Sequence, residues 1–320
     1  MRLPAGAPAA RIVAFGGYQP ANVITNHDLA ATIATSDEWI RSRVGITSRR
    51  IAGPDESVAD MAVAAGGKAL AASGLTADGI DLVIVATCTP EVQIPNTSAS
   101  VAHRLGIRAP GAYDLNAACA GFCYALASAS DAVRAGSAHA ALVSGAEKLS
   151  SWVDWTDRST AIIFADGAGA AVVTGADAAR DAAIGPVVWG SAGEHANKIF
   201  ISNQSFLFQE GLSVFRWATT ALAPVARAAC ERAGVAPSEL AAFVPHQANL
   251  RIVEAIARQL GAPDVIVAND IIEAGNTSSA SIPLALARMT EKGHLGSGAP
   301  VLVLGFGAGL TYAAQVIIMP

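Results

Sequence analysis

Three short segments, far apart in the chain, each set one reactive residue among small neighbours. The reactive residues are Cys119, His246 and Asn276. A thiol nucleophile, an imidazole and an amide together are suited to acyl transfer through a covalent thioester. Each residue alone indicates little, because a single cysteine or histidine usually packs in a core and a Gly-Asn-Thr-Ser run usually forms a turn. The combination predicts an acyltransferase site.

Cys119 precedes an uncharged helical run that continues to Leu126. The free N–H groups and the dipole at a helix N-terminus stabilise a thiolate, so we predict a lowered pKa for this thiol. Small neighbours on both sides leave room for a substrate beside the sulfur. The other cysteines, Cys88, Cys123 and Cys230, have no such context and no zinc-like spacing. We therefore expect them to be structural, and we expect no metal site.

Alternating helix and strand patterns predict an α/β protein that holds these residues in place. The short apolar runs 83–86 and 141–143 are typical of strands that are buried on both faces. The alanine-rich segments 58–72 and 121–135 favour helices. The uncharged segment 301–318 is nearly long enough to span a membrane, but its glycines, Thr311, Tyr312 and Gln315 predict two buried strands around a turn.

The two halves of the chain repeat the same pattern. The segment from Ser73 matches the segment from Ala233, an offset of 233 − 73 = 160 residues, and 142–145 matches 302–305 at the same offset. A shared offset at two places favours duplication over chance. On this offset His246 corresponds to Ala86, so we expect it to follow a central strand. We then expect it to meet Cys119 across a pseudo-twofold axis, at the carboxyl ends of the strands.

The composition argues against several classes of function. The chain has 320 residues, of which 52% are hydrophobic and 15% charged, and a formal net charge of −5. An acidic chain disfavours non-specific nucleic-acid binding, which needs a basic surface. Residues 1–9 lack the basic and apolar regions of a signal peptide, and the few cysteines favour a reducing compartment. We expect a cytoplasmic protein with no nucleic-acid partner and no membrane association.

Further motifs extend from Arg11 to the C-terminus. They are Thr35–Ile40, Asp157-Arg158, Asp166–Ala171, His246–Ile252 and Gly305–Gly309. With these motifs the chain resembles the β-ketoacyl-[acyl-carrier-protein] synthase III family of the thiolase superfamily. The resemblance implies a homodimer with a thiolase-like α/β fold, in which two pseudo-duplicated halves form a five-layered αβαβα core. We place the nucleophile-bearing half at 1–175 and the half with the histidine and asparagine at 176–320.

The resemblance implies an initiating ketosynthase. Cys119 attacks the thioester of a short acyl-CoA and becomes acylated. His246 and Asn276 then donate hydrogen bonds to the thioester oxygen of malonyl-[acyl-carrier-protein] while carbon dioxide leaves. The carbanion attacks the acyl-Cys119 carbonyl and gives a 3-oxoacyl product, as at the start of fatty-acid synthesis. A second oxyanion hole would use the backbone N–H groups of Cys119 and Ala308. Acyl-CoA is then a substrate, and no cofactor is expected.

The resemblance also implies a CoA-binding region. The residues that contact CoA are Trp39, Arg43, Arg158 and Asn249. Trp39 and Arg158 would stack on the adenine, because an indole and a planar guanidinium suit a flat base between them. We expect Thr35 and Glu38 to form the capping box that starts the helix carrying Trp39.

Two further surfaces follow from the resemblance. The acidic carrier protein would dock on Arg216, Arg251 and Arg258, which are equally well explained as solvated charges. The acyl pocket would involve Ile94, Phe306 and Leu310. Members of the family often have Phe at the position of Ile94 and an aromatic residue at that of Leu310, and the partner subunit usually contributes to the pocket. We therefore expect a pocket that accepts branched or longer primers.

Other functions remain open. A priming ketosynthase of an aromatic polyketide pathway would use the same residues with a different carrier protein. Asn276 argues against an ester-forming acyltransferase, because an amide cannot take a proton and suits decarboxylation. The flanks of Cys119 do not match a papain-like hydrolase. A non-catalytic relative would be expected to lose at least one of the three reactive residues.

Overall fold

The computed structural model describes residues 5–178, 183–202 and 205–320. Its strands are β1 (Ala9–Tyr18), β2 (Asn22–Thr25), β3 (Ser48–Ile51), β4 (Leu82–Ala86), β5 (Gly111–Leu115), β6 (Ala140–Lys148), β7 (Asp166–Ala176), β8 (Val188–Ser191), β9 (Ile199–Phe200), β10 (Phe208–Gln209), β11 (Ala242–Pro245), β12 (Ile266–Val267), β13 (Pro300–Gly307) and β14 (Thr311–Ile318). Its helices are α1 (Asn26–Ala30), α2 (Asp37–Val44), α3 (Val58–Ser73), α4 (Thr97–Arg104), α5 (Gly121–Arg134), α6 (Arg158–Ala161), α7 (Gly211–Ala233), α8 (Leu250–Leu260), α9 (Ile271–Ala274) and α10 (Ser281–Glu291).

Two five-stranded sheets have the same topology. Their strand orders are β1-β7-β6-β4-β5 and β8-β14-β13-β11-β12. In both sheets the fourth strand in this order, β4 or β11, is parallel to its two neighbours, and the remaining two pairs are antiparallel. The register repeats as well, because Val83 pairs with Leu142 and Phe243 pairs with Leu302. Both residues of the second pair lie 160 positions after those of the first, which confirms the predicted duplication.

The sheets and helices form five layers, as expected. Helices α3 and α4 cover the outer face of the first sheet, α5 and α10 lie between the two sheets, and α7 and α8 cover the outer face of the second. Phe122 and Leu126 of α5 are fully buried in the central layer. Burial of such side chains contributes roughly 1.5–3 kcal/mol each. The central layer therefore joins the two halves through one apolar core.

One glycine in β6 and one in β13 allow the central layer to approach these strands closely. A Cβ at Gly145 would lie 2.3 Å from the backbone oxygen of Ser279, and one at Gly305 would lie 2.9 Å from the Cα of Ala120. These glycines occupy equivalent positions, 160 residues apart, in β6 and β13. Each lets the opposite half bring a short 3-10 turn against the strand, at Ser278–Ala280 and Ala118–Ala120.

The sequence-based elements are largely confirmed. The segments predicted as helices correspond to α3 and α5, and the uncharged segment 301–318 forms β13 and β14 with a turn between them. Among the described residues, every helix is too short or too polar to cross a lipid bilayer. Strand β7 ends at Ala176, next to the boundary that we place between the halves. That boundary remains a prediction.

Candidate active site

Cys119, His246 and Asn276 line one cavity of about 770 Å³. His246 directly follows β11, an interior strand of the second sheet that is parallel to both of its neighbours, at the place that the duplication predicts. The cavity wall is mostly apolar and includes Phe164, Leu207 and other side chains from both halves. The structure thus brings the three reactive residues to one cavity, and their catalytic roles stay a prediction.

Cys119 lies in the 3-10 turn Ala118–Ala120, directly before α5. Ala118 has a φ of 46°, and its N–H donates to Asn116 Oδ1 at 3.1 Å. Burial raises the pKa of the Cys119 thiol to about 12, although contacts with Ser278 and with its own backbone N–H oppose the rise. The predicted lowering of this pKa is therefore wrong for the free protein, because desolvation dominates. The resting group is a neutral thiol that must lose its proton as it attacks.

Gly307 leaves the space that the nucleophile needs. A Cβ at this position would lie 2.7 Å from Cys119 Cβ, 2.9 Å from its backbone nitrogen and 3.1 Å from its Sγ. Because two of these distances are shorter than real Cβ contacts, any side chain here would displace Cys119. The extended backbone of Gly307 thus brings β13 directly against the nucleophile.

We predict that Gly307→Ala slows acylation of Cys119 by about ten- to a hundredfold, in line with an overpacking strain of about 1–3 kcal/mol. The rate is measured by intact mass spectrometry after mixing with acyl-CoA. Gly296→Ala is the matched control, because a Cβ at Gly296 has nothing within 4 Å. A wild-type acylation rate in Gly307→Ala would contradict the packing argument.

His246 is buried, with 1% of its surface exposed. Its Nδ1 lies 2.7 Å from Ser281 Oγ, and the edge of its ring meets the Phe306 ring at a centroid distance of 5.2 Å. Burial lowers the pKa of His246 to about 3, so the imidazole is neutral near pH 7. A neutral imidazole suits a hydrogen-bond donor to a developing oxyanion.

The Asn276 amide is oriented by its own turn. Its Oδ1 accepts a hydrogen bond from the Ser278 N–H at 2.9 Å, and its backbone N–H donates to Ile163 O at 2.9 Å. Since Oδ1 is occupied, the amide turns Nδ2 toward the cavity, where it lies 3.5 Å from Ala248 O. Asn276 therefore presents a hydrogen-bond donor to the cavity, as the neutral imidazole of His246 can.

A buried carboxylate that sequence reasoning missed supports this turn. Glu147 is fully buried and accepts hydrogen bonds from Thr89 Oγ1 at 2.7 Å, Ser279 Oγ at 2.8 Å, Ser278 Oγ at 3.0 Å and the Cys88 N–H at 3.1 Å. Such a set of donors compensates for the loss of water around a buried carboxyl group. The offset of 160 residues gave the position of Glu147 in the fold, since 147 + 160 = 307 makes it the counterpart of Gly307 in the second half.

Two of the cysteines predicted to be structural are buried, and the third lies in the site. Cys123 and Cys230 belong to hydrophobic clusters of the core. Cys88 lines the cavity with Cys119, and burial raises its pKa well above the ordinary value. Cys88 follows β4 at the position that corresponds to Ala248 in the second half, so the duplication also indicated its location.

Trp39 lies on the rim of the cavity, on α2. The helix begins one residue later than predicted, because Ser36 rather than Thr35 accepts the Trp39 N–H, at 3.1 Å. The Cζ of Arg158 lies 4.5 Å from the Trp39 ring centroid, and that of Arg43 lies 5.7 Å from it. A base between two flat groups needs a separation of roughly 7 Å, twice the van der Waals distance. Arg158 must therefore move before adenine enters the predicted sandwich.

Asn249 connects two parts of the predicted CoA region. It caps α8, where its Oδ1 accepts the Arg251 N–H at 2.9 Å, and its Nδ2 donates to Arg43 O at 3.3 Å. Asn249, Arg43 and Arg251 all line the cavity. Three of the residues that the resemblance assigns to CoA thus line the cavity, and the fourth, Arg158, packs on Trp39.

The predicted docking arginines are on the surface. Arg251 and Arg258 are exposed on α8, and Arg216 is exposed on α7. The guanidinium of Arg251 lies 5.5 Å from the Phe215 ring centroid, whereas Arg258 is 3.9 Å from the carboxylate of Glu254. Helices α7 and α8 pack together, which places the arginines on neighbouring elements.

The predicted acyl-pocket residues lie in three environments. Phe306 is on the cavity wall, and so is Ala308, the second predicted oxyanion residue. Leu310 is buried, with 1% exposed, and is not among the described residues that line the cavity. Ile94 is 85% exposed and is not among the described residues that line this cavity. Any contribution of Ile94 to an acyl pocket must come from contact with another chain.

Comparisons with known proteins agree with this geometry. The family model described as 3-oxoacyl-[acyl-carrier-protein] synthase III matches residues 113–193, and the model of its C-terminal part matches residues 230–319. The first match contains Cys119, and the second contains His246 and Asn276.

Curated and solved relatives cover nearly the whole chain. β-Ketoacyl-[acyl-carrier-protein] synthase III 4 of Streptomyces coelicolor is 57% identical over 97% of this chain and 98% of its own length. The crystal structure of the priming β-ketosynthase from the R1128 polyketide biosynthetic pathway is 43% identical, with a TM-score of 0.96 over 100% of this chain and 98% of that one. The 3-oxoacyl-[acyl-carrier-protein] synthase III of Aquifex aeolicus is 40% identical, with a TM-score of 0.93 over 97% and 100%. The fold is therefore thiolase-like, as predicted.

Proposed function

Because the chain belongs to the 3-oxoacyl-[acyl-carrier-protein] synthase III family and is an acyltransferase of the initiating ketosynthase class, we propose that it condenses a short acyl-CoA with malonyl-[acyl-carrier-protein] through an acyl-Cys119 intermediate. The observation that carries the proposal is the shared cavity, which is lined by Cys119 with its thiol, His246 with its neutral imidazole and Asn276 with its amide. Such a set suits covalent acyl transfer followed by stabilisation of an enolate.

In the first half-reaction, Cys119 Sγ attacks the thioester carbon of the acyl-CoA. The carbon–sulfur bond to CoA breaks, and CoA leaves as a thiol after taking up the proton that Cys119 loses. The backbone N–H groups of Cys119 and Ala308 would hold the tetrahedral oxyanion, which the close approach of Gly307 to Cys119 supports. Trp39, Arg158 and the neighbouring CoA residues would bind the nucleotide end at the mouth.

In the second half-reaction, His246 Nε2 and Asn276 Nδ2 would donate to the thioester oxygen of the malonyl group. The bond to the carboxylate carbon breaks, carbon dioxide leaves, and negative charge develops on that oxygen. The resulting carbanion attacks the acyl carbonyl, and the Cys119 thiolate leaves. His246 needs no proton from solvent for this role, because its lowered pKa, about 3, keeps it neutral at working pH.

The primer preference is part of the proposal. The cavity of about 770 Å³, with its mostly apolar wall, supports a pocket that accepts branched or longer acyl groups. The exposed Ile94 supports a homodimer in which the partner completes this pocket. We further place the protein in the cytoplasm, a compartment that fits its four free cysteines.

The test is an assay of the full chain with malonyl-[acyl-carrier-protein] and either acetyl-CoA or isobutyryl-CoA. We expect carbon dioxide release and a 3-oxoacyl-carrier-protein product with both primers. Absence of product with any short acyl-CoA would contradict the proposed function, whereas activity strictly limited to acetyl-CoA would contradict only the wider pocket.

A polyketide-priming role is the second candidate, and the similarity to the R1128 enzyme favours it. The residues of the active site do not distinguish the two roles. Parallel assays with malonyl groups on a fatty-acid carrier protein and on a polyketide carrier protein compare them directly. A higher kcat/KM with the polyketide carrier protein would favour the polyketide-priming role over the fatty-acid role.

Arg251 offers a test of carrier-protein docking. We predict that Arg251→Ala raises the KM for malonyl-[acyl-carrier-protein] roughly fivefold, as expected for a surface ion pair worth about 1 kcal/mol, and weakens its dependence on salt. Arg108→Ala is the control, because Arg108 is exposed and pairs with Asp78 away from the cavity. An unchanged KM and salt response in Arg251→Ala would rule out docking through this residue.

A further inference from the structure

Ser281 is the first residue of α10 and is buried, with 2% exposed. Its hydroxyl oxygen accepts a hydrogen bond from the Gln247 N–H at 3.2 Å and lies 2.7 Å from His246 Nδ1. These are its hydrogen-bond contacts in the described part of the chain. Ser281 itself does not line the cavity, so any influence on the reaction must pass through His246.

The hydroxyl proton decides which ring nitrogen of His246 carries hydrogen. If Nδ1–H donated to Ser281, the oxygen would accept two hydrogen bonds and its own O–H would be left without an acceptor in a buried site. If the Ser281 O–H donates to Nδ1, the hydroxyl, Nδ1 and the Gln247 N–H all have a partner. The second arrangement is favoured, because a buried unsatisfied donor costs free energy. A neutral imidazole that accepts at Nδ1 must carry its hydrogen on Nε2.

We propose that Ser281 is a positioning residue that selects the Nε2–H tautomer of His246, so that Nε2 donates to the thioester oxygen during decarboxylation. The inference rests on the proposed function for the role of that donor. In the other tautomer, Nε2 would direct a lone pair at the oxygen on which charge develops. The oxyanion hole would then lose one of its two side-chain donors.

The duplicated half supports the pairing of these two residues. At the offset of 160, His246 corresponds to Ala86 and Ser281 corresponds to Gly121. A Cβ at Gly121 would lie 3.1 Å from Ala86 Cβ, so the fold places these two positions side by side in both halves. The nucleophile-bearing half has no polar group at either position. The half that holds the oxyanion donor has a polar group at both, as expected if serine and histidine act as one unit.

The tautomer is measured in the free protein by long-range proton–nitrogen NMR of ¹⁵N-histidine-labelled chain. The signals of His246 are identified by their loss in His246→Gln. We expect a hydrogen-bonded, unprotonated Nδ1 and a protonated Nε2 in wild type, and a loss of this preference in Ser281→Ala. A protonated Nδ1 in wild type, or an unchanged pattern in Ser281→Ala, would overturn the proposal, whatever the enzyme's activity.

Kinetics supply the second readout. In Ser281→Ala we expect acylation of Cys119 to change less than about twofold, while kcat for condensation falls roughly ten- to a hundredfold at an unchanged KM for the malonyl carrier protein. Ser144→Ala is the matched control, because Ser144 is also buried but its hydroxyl has no partner in the described residues. Equal loss of both half-reactions would overturn the assignment. Inactivity of the wild type would instead refute the proposed function and leave the NMR result standing.

Discussion

Cys119→Ala is expected to lower the rate of condensation at least about 10⁴-fold, because the proposed reaction passes through an acyl group bound to the Cys119 sulfur. Gly307 brings the opposite strand against Cys119, and the turn that carries it is fixed by the Asn116 side chain. Cys88 lies nearby, but burial, together with the Glu147 carboxyl group 3.4 Å from its sulfur, raises the pKa of its thiol and disfavours a thiolate there. The rate is measured as 3-oxoacyl product formed from acyl-CoA and malonyl-[acyl-carrier-protein].

Cys230→Ala is the matched control for this substitution. Cys230 is 1% exposed and packs in the hydrophobic cluster that α7 and α8 form with the second sheet. It is not among the described residues that line the cavity. We expect it to retain the wild-type turnover, with only a small change in thermal stability. A condensation rate in Cys119→Ala within tenfold of wild type would show that another group carries the acyl chain.

His246→Ala and Asn276→Ala are expected to separate the two half-reactions. Each should slow condensation by about 10² to 10³-fold, as loss of one oxyanion donor does in other acyl-transfer sites. Each should also leave acylation of Cys119 close to the wild-type rate, because both donors are assigned to the malonyl thioester. Acylation is followed by intact mass and condensation by release of carbon dioxide.

His103→Ala is the control for His246→Ala, since His103 lies on the outer helix α4. The contradicting result is a variant in which acylation falls as much as condensation. It would mean that His246 or Asn276 acts on Cys119 itself, as a base or an orienting group. The assignment of both residues to the condensation step alone would then be wrong.

Much of the fold followed from the sequence because its signals are strong and local. The apolar runs that became β4 and β6 contain little except β-branched and small residues, and the helices α3 and α5 are rich in alanine. The offset of 160 is more informative, because it predicts from the sequence alone that His246 follows an interior strand of the second sheet. A repeated pattern reports on three-dimensional equivalence even when the two copies share few identical residues.

The features that the sequence does not predict depend on contacts between segments that are distant in the chain. The pKa of Cys119 was predicted from the helix behind it, but burial by the opposite half outweighs the helix. The hydrogen bonds of Glu147 to Ser278 and of Ser281 to His246 join residues 131 and 35 positions apart, so no local pattern indicates them. The contact between Trp39 and Arg158 likewise depends on how α2 and α6 pack.

The central claim is that a short acyl group is carried on Cys119 and then passed to a malonyl-derived carbanion. It is tested by incubating the wild-type chain with acetyl-CoA, digesting it and mapping the acyl group by mass spectrometry, before and after addition of malonyl-[acyl-carrier-protein]. We predict an acetyl group on the peptide that contains Cys119, and its loss with release of carbon dioxide when the second substrate is added. An acetyl group on Cys88, Cys123 or Cys230 instead, or one that persists after malonyl-[acyl-carrier-protein] is added, would contradict the account.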